Sequence, residues 1–361
     1  MDVSLDENWH VLLSLFPENW RELAKETKAM IRKFRNFSSE ENLMRTLLLH
    51  IACGYSLRET TVRAKTSQIA DVSDVALLKR LKLSENWFKA LSFSLLKEKG
   101  SVREIKAKTS ICMKLVDATI VKEPGRTGSS WRIHYSLKLP DLNCDYFKLT
   151  GVKGQGTGES YKQFPITKND CIIGDRGYST AQGIAYVASQ EAYSLVRINT
   201  NAINFYSKGL LLFNLLDNIS ALNTELLMKS WDVLVKSPDE HYINGRLCII
   251  RKTEAAIDKA LKKLKREASK RQSELKPETI EYAKYIIVFT TLPTDFTTKE
   301  VLDWYRLRWQ IELIFKRLKS LAGLGHLPKY DEGSARAWLH GKLFVGLMIE
   351  KLIRYSSDFS P

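Results

Sequence analysis

Hydrophobic and polar positions recur along this chain with two periods, and each change of period marks a different part of it. The clearest helical pattern lies between residues 297 and 322. Thr297 and Glu300 form the T-x-x-E pattern of a helix N-terminus. No Gly or Pro follows until Gly323, so the pattern predicts one helix of about 24 residues. At about 100° per residue, Tyr305, Arg308, Glu312, Lys316 and Lys319 fall within an arc of about 80° and make one polar stripe. Ile311, Ile314, Phe315, Leu318 and Ala322 make an apolar stripe beside it. One face is built to pack. Its neighbour sets one carboxylate among cations, which suits a metal ion flanked by phosphates, and equally a solvated face with i,i+4 charge pairs.

Residues 1–100 also read as helical. Ser38 and Glu41 form a capping box ahead of Leu43, Leu47 and Ile51, and Gly54 stops that helix. Ser56 and Glu59 open a second helix that runs through Lys65. Asp71 or Ser73 caps a third with Val75, Leu78 and Leu81; a fourth starts at Ser84, with Trp87, Leu91 and Leu95 on one face. Short helices between turns suit a helix-turn-helix-like DNA reader, with Arg58, Arg63, Lys65, Lys79, Arg80 and Lys82 available to phosphates. A helical packing or dimer module has the same periodicity.

From residue 101 the period becomes two. Ile111 to Val121 is an apolar run that contains Asp117. Trp131 to Leu139 alternates strictly, which predicts a half-buried antiparallel strand, and Asp145 to Thr150 gives a third strand. The glycines of residues 151–160 form a loop into a short helix at Ser160. No Gly-Lys-Ser/Thr follows them, so this is not a phosphate-binding P-loop. Cys171 to Gly177 is a short strand ending at Asp175 and a Gly-bearing turn. Ser179 then caps a helix to Gln190, and Ala192 to Ile198 is again a strand. Trp231 to Ser237 and Arg246 to Lys252 read as strands. Thr253 to Leu275 reads as a basic helix, either DNA-facing or solvated, with Pro277 closing the region. Tyr285 to Thr291 is a strand and Ser334 to Tyr355 a last helix.

Composition narrows the partners. In 361 residues, 56 Lys and Arg stand against 41 Asp and Glu, a net charge of +15, and the pI is near 9.4. An anionic partner follows, and nucleic acid is the commonest large one. A hydrophobic content of 44% excludes a disordered chain. The five cysteines show no C-x-x-C spacing, which argues against a disulfide frame or zinc knuckle. The start is acidic and mixed, unlike a signal peptide, and runs such as Leu343 to Ile349 are too short to span a bilayer. The expectation is a soluble cytoplasmic protein with no membrane partner.

The residue order carries more. The stripe reads Tyr305-x2-Arg308-x3-Glu312-x6-Lys319, and around it runs Arg308-Trp309-Gln310-Ile311-Glu312. This resembles the Tyr-Arg-Glu-Lys signature of the insertion sequence four family of bacterial DDE transposases. Asp175-Arg176-Gly177-Tyr178 resembles the second motif of that family, and Asp117 takes the place of its first aspartate. The resemblance covers roughly residues 40 to 350. It implies an α/β fold: a ribonuclease H-like catalytic core (residues 101–199 and 291–361) interrupted by a β-rich insertion (200–290) and preceded by an all-helical DNA-binding domain (1–100). It implies that Asp117, Asp175 and Glu312 are catalytic and hold two Mg2+ or Mn2+ ions per active site, with Asp117 bridging.

Phosphodiesters resist attack because anionic oxygens repel the nucleophile and the leaving alkoxide is poor, and two divalent ions about 3.5–4 Å apart answer both problems. The resemblance further implies that Tyr305, Arg308 and Lys319 grip the DNA end. Lys316, Arg176 and Trp309 are further candidate DNA contacts, with core packing the alternative for Trp309. The resemblance also implies that cleavage proceeds through a DNA hairpin. A base flipped in that step would stack on an aromatic of the insertion, for which Trp231 is the available Trp. The implied partners are double-stranded DNA, as terminal inverted repeats and target, and a second copy of the chain in a synaptic homodimer. The short tail after the last helix predicts no separate C-terminal dimerisation domain. A metal-dependent endonuclease without strand transfer and an inactive DNA-binding regulator remain the alternatives.

Overall fold

The structure is a computed structural model; it describes residues 8–30, 37–98, 111–123, 130–140, 142–153, 157–200, 202–219, 222, 224–320, 322–325, 327–328 and 331–358. Parts of the 151–160 loop lie outside these residues. Six helices come first: α1 (Trp9–Ser14), α2 (Trp20–Glu26), α3 (Glu40–Ile51), α4 (Leu57–Thr66), α5 (Asp74–Leu83) and α6 (Glu85–Glu98). Then come β1 (Cys112–Lys122), β2 (Ser130–Lys138), β3 (Asn143–Gly151), β4 (Asp170–Gly174), α7 (Ala181–Ser189) and β5 (Tyr193–Arg197). The next stretch supplies β6 (Phe205–Tyr206), α8 (Leu215–Ile219), the hairpin of β7 (Met228–Lys236) and β8 (Tyr242–Arg251), α9 (Glu254–Arg271), α10 (Pro277–Ala283) and β9 (Tyr285–Thr290). The chain closes with α11 (Thr298–Arg306), α12 (Trp309–Ser320) and α13 (Glu332–Asp358). Among the described residues no helix is long and apolar enough to cross a membrane.

Local chemistry sets several boundaries one residue from the expected place. Ser39, not Ser38, caps α3 by accepting from the Asn42 N–H at 3.1 Å. Glu41 is drawn away from the cap by the Trp9 indole and Arg21. Ser56 and Ser73 cap α4 and α5. Thr180 caps α7, because the Ser179 hydroxyl instead accepts from the Asn199 N–H. Pro277 does not close the basic helix but opens α10 from its first turn, where its missing N–H costs nothing.

The strands form one mixed sheet of nine, in the order β3-β2-β1-β4-β5-β9-β8-β7-β6. β1, β4 and β5 run parallel, and the other pairs are antiparallel. Segment 200–290 thus extends the same sheet through β9. Side chains alternate between the two faces. Leu115, Ile133, Leu137, Ile173, Leu195 and Val288 join the core formed with the N-terminal helices, α12 and α13. Val116, Ile172, Val196, Ile287 and Phe289 join a second core with α7 and α8. With both faces covered, β2 is not half-buried as expected: its polar register, His134 and Ser136, is buried too. The His134 Nε2 lies 2.9 Å from the Thr150 hydroxyl, and burial pushes the pKa of the ring down to about 4.

The expected single helix over 297–321 is broken. α11 ends at Arg306, Leu307 is its C-cap, and α12 starts at Trp309. The capping box of Thr297 and Glu300 is present. No Gly or Pro marks the break; i→i+3 bonds from Arg308 to Tyr305 and from Gln310 to Leu307 tighten the chain there. Tyr305, on α11 just before the break, is buried and not part of an exposed stripe. The apolar stripe of Ile311, Phe315 and Leu318 packs as the pattern requires.

The ring of Phe344 on α13 is fully buried between Phe16 and Phe88, at centroid distances of 5.3 and 6.1 Å. Phe344→Ala is therefore expected to cost about 3–5 kcal/mol, read as a lower urea midpoint with earlier proteolysis in α1–α6. An unchanged midpoint would show that α13 does not hold the N-terminal helices in one core.

Candidate active site

Asp117 lies on β1 and Asp175 directly follows β4. The last registered pair of these parallel strands is Leu115 with Ile173. Asp117 lies two residues beyond Leu115 on β1, and Asp175 caps the 3-10 turn that follows β4, near enough for their charges to act on each other. Adjacent strands lie about 4.8 Å apart, and both aspartates share the parity of Leu115 and Ile173, whose side chains lie in the core that holds α12. Opposite Asp117 on β2 stands Tyr135, whose ring packs on Phe315 of α12 and whose hydroxyl donates to Glu350 of α13. The sheet thus delivers two carboxylates to the face where α12 brings Glu312.

Arg308 joins the third carboxylate to the first. Its guanidinium pairs with Glu312 at 2.5 Å and stands 3.9 Å from Asp117. Asp117 and Arg308 are well covered, with side chains 14% and 15% exposed, while Glu312 is open at 57%. Burial pushes the Asp117 carboxyl up to about 7; the charges of Asp175 and Glu159 add to this, against the Ala118 N–H and Arg308. The Asp117 carboxylate accepts from that N–H at 2.7 Å. Asp175 accepts from the Gly177 N–H at 2.8 Å, which caps the 3-10 turn Arg176–Tyr178. Among the described residues no three His, Cys, Asp or Glu side chains are already gathered around one point that could hold a metal ion. The Arg308 guanidinium lies between the carboxylates of Asp117 and Glu312.

Two glycines shape the floor. A Cβ on Gly174 would meet the Tyr161 hydroxyl at 2.8 Å, and one on Gly177 would lie 2.1 Å from a Glu159 carboxylate oxygen. Glu159 is a fourth carboxylate at the site that the sequence reading missed. It sits in the glycine-rich loop, and its pKa is raised by burial and by Asp175.

The expected DNA contacts fall in different places. Lys316 and Lys319 line an open hollow with Glu312, Phe315 and Ser320 on α12. Trp309 is 49% exposed. Tyr305 is buried, with Arg308 6.0 Å from its ring centre, and burial raises its pKa. Trp231 is half-buried against Phe213. Arg176 belongs to another concavity, lined also by Arg197, Lys252 and Lys263. There Lys252 is pushed down to about 8 by burial and by Arg197 and Arg176, the mark of cations crowded without enough negative charge. Arg197 and Lys252 carried no sequence signal; Arg197 ends β5 and Lys252 follows β8, and only the sheet brings them together. One side of α9 contributes Lys263 and Glu267 to that wall.

The chain matches the transposase DDE domain family over residues 154–348, a span that contains Asp175 and Glu312. It is 30% identical over 368 aligned positions to the putative transposase InsL for insertion sequence element IS186A of Escherichia coli strain K12, covering 98% of this chain and 96% of that one. Identity to the transposase for insertion sequence element IS421 of Escherichia coli is 30% over 369 positions, with the same coverage. A shorter match, 30% identical over 108 positions, relates it to the transposase for insertion sequence element IS231F of Bacillus thuringiensis subsp. israelensis, covering 30% of this chain and 23% of that one.

The raised pKa of Asp117 has a definite sign in stability. Its carboxyl binds a proton more tightly folded than unfolded. This group therefore costs stability as pH rises from about 4 to about 7. In chelator, Asp117→Asn is expected to gain about 2–4 kcal/mol over the parent protein between pH 4 and pH 8. Melting curves across that range measure it, and parallel pH profiles for the two proteins would refute the buried, uncompensated carboxyl.

Proposed function

The chain belongs to the DDE transposases, enzymes that cut DNA and transfer its strands, and on that premise we propose cut-and-paste transposition of an insertion sequence through a DNA hairpin. The observation that carries this reading is the approach of Asp117 on β1 and Asp175, which follows its parallel neighbour β4 closely enough for their charges to act on each other, with Glu312 tied to Asp117 through Arg308. Three antiparallel strands followed by parallel β4 and β5 support reading this part as a ribonuclease H-like core, with Asp117 on the first strand, Asp175 after the fourth and Glu312 on a late helix. In this reading residues 1–100 form a helical DNA-binding domain, and residues 200–290 an insertion that widens the core sheet. Two copies assemble on paired terminal inverted repeats in the cytoplasm.

The donor chemistry fits hard divalent cations. The ligands would be carboxylate oxygens alone, and burial leaves Asp117 short of positive charge. Asp117, Asp175 and Glu312 would hold Mg2+ or Mn2+, which when bound would supply activation of the attacking oxygen and stabilisation of the leaving one. The protein's own groups do the holding. Arg308 exchanges its carboxylate partners for a DNA phosphate, joined by Lys319 and Lys316 from the next turns of α12. Buried Tyr305 holds the Arg308 guanidinium from behind, and exposed Trp309 offers a ring for an unstacked base. Arg176, beside Asp175, takes a neighbouring phosphate with Arg197 and Lys252. With the cut end held, its 3′-hydroxyl attacks a phosphodiester of the opposite strand and expels the 3′-oxygen of the flanking DNA as a hydroxyl, which closes a hairpin; water then attacks the same phosphodiester and releases the 3′-hydroxyl again.

The decisive assay incubates purified protein and Mg2+ with a duplex ending in the element's own inverted repeat. A nick is expected first, then a terminus whose two strands migrate as one molecule under denaturing conditions. Asp117→Asn should abolish every product and keep binding, because an amide lacks the charge that gathers the ions. Cutting without a covalently closed end would replace the hairpin with simple endonuclease action. In a second test, Arg308→Ala with Lys319→Ala should weaken end binding and flatten its salt dependence by about two phosphates. Wild-type affinity, salt slope and hairpin yield in that double variant would remove the phosphate clamp.

A further inference from the structure

A concavity distinct from the carboxylate site opens where the α3–α4 turn, the start of α5, the turn after α12 and the middle of α13 meet. Its walls include Ser56, Arg58, Asp74, Gly323, Trp338 and Lys342. Lys342 is the unusual member. It is 4% exposed, and a buried ammonium needs an anion or several acceptors. Its described neighbours are the Trp338 ring, 5.1 Å from Nζ, and Gly323, where an added Cβ would lie 3.3 Å from Nζ. Among the described residues no carboxylate or hydrogen-bond acceptor is paired with it, and its ammonium keeps some access to the pocket. Burial accordingly lowers its pKa, with the Cys53 thiol alone working the other way. Asp74, the acid of the wall, pairs with Arg58 at 3.9 Å.

Two further sources of positive charge face the same space. α4 starts there, capped by Ser56. Its first N–H groups, at Leu57 and Arg58, precede the intrahelical ladder and carry the positive end of the helix. Arg58 stands at the mouth with its side chain 91% exposed. We propose that this pocket takes a phosphate of the DNA backbone, gripped by the Lys342 ammonium, the Arg58 guanidinium and the N-terminus of α4. The proposal rests on the reading that residues 1–100 meet DNA. It couples that region to the end of the polar α12 helix, because Gly323 and α13 build the pocket's other wall.

The test uses the full chain and fluorescence anisotropy of a terminal-repeat duplex over a range of salt. Lys342→Met and Arg58→Gln should each weaken binding about tenfold and reduce the salt slope by about one. Together they should lose less than the sum, since they share one phosphate. Inorganic phosphate should raise the melting temperature of the parent protein but not of Lys342→Met. That variant should itself melt no lower than the parent, because it loses an unpaired buried charge. Lower melting of Lys342→Met with unchanged affinity for Arg58→Gln would make Lys342 structural and overturn the proposal. Phosphate stabilisation without any change in DNA affinity would assign the pocket to a free anion and overturn its DNA occupant. Lys65→Glu with Lys79→Glu, on the same helices outside the pocket, separates the two levels. If this pair weakens binding and the pocket variants do not, only the pocket fails; if neither does, the DNA-binding reading of residues 1–100 fails with it.

Discussion

The parallel pairing of β1 with β4 is the constraint on which the rest depends. It brings Asp117 and Asp175 close enough for their charges to act on each other, with Asp117 beside Arg308 at the start of α12. A one-residue slip would send one carboxylate to the opposite face of the sheet, away from Glu312. What prevents the slip is hydrophobic. Leu115 and Ile173 are buried under the helical layer, while Val116 and Ile172 are buried in the second core. The polar site is therefore held by apolar parity on both faces. That is why these strands carry near-continuous apolar runs and not an alternation.

Electrostatics then works against the fold at one point. Asp117 is covered, faces Asp175, and has the Glu159 charge nearby. Arg308 partly relieves it by bridging to Glu312. Arg308 stands in the turn between α11 and α12. Charge concentrated at a site at the expense of stability is the pattern expected where ions or phosphates are meant to arrive.

The helical layer links the site to the rest of the chain. α13 packs against α6 and α5 on one side and reaches β2 through Glu350 on the other. The N-terminal helices and the carboxylate face therefore share one core. A DNA segment bound by those helices would meet the same rigid body that carries Glu312. Continuity of β9 with both β5 and β8 extends that body across segment 200–290.

Much of this was legible in the residues alone. Helix and strand periods, the serine caps, the Thr297–Glu300 box and the apolar stripe of α12 are local, and local chemistry decides them. The spacing of Tyr305, Arg308, Glu312 and Lys319 likewise stands in the chain as written, and it pointed to the family before any contact was known. Other features arise only when distant segments meet. The break at Leu307 and Arg308 has no Gly or Pro to announce it. The burial of Tyr305 and His134 depends on layers placed over both faces of the sheet. Glu159 lay hidden in a loop of glycines, because its meaning comes from Gly177 and Asp175, residues it meets only after folding. The crowding of Arg176, Arg197 and Lys252 comes from strand ends far apart in sequence. Periodicity records which side of an element is apolar. Only tertiary packing decides which charges become neighbours, because their energy depends on distance and burial and not on order along the chain.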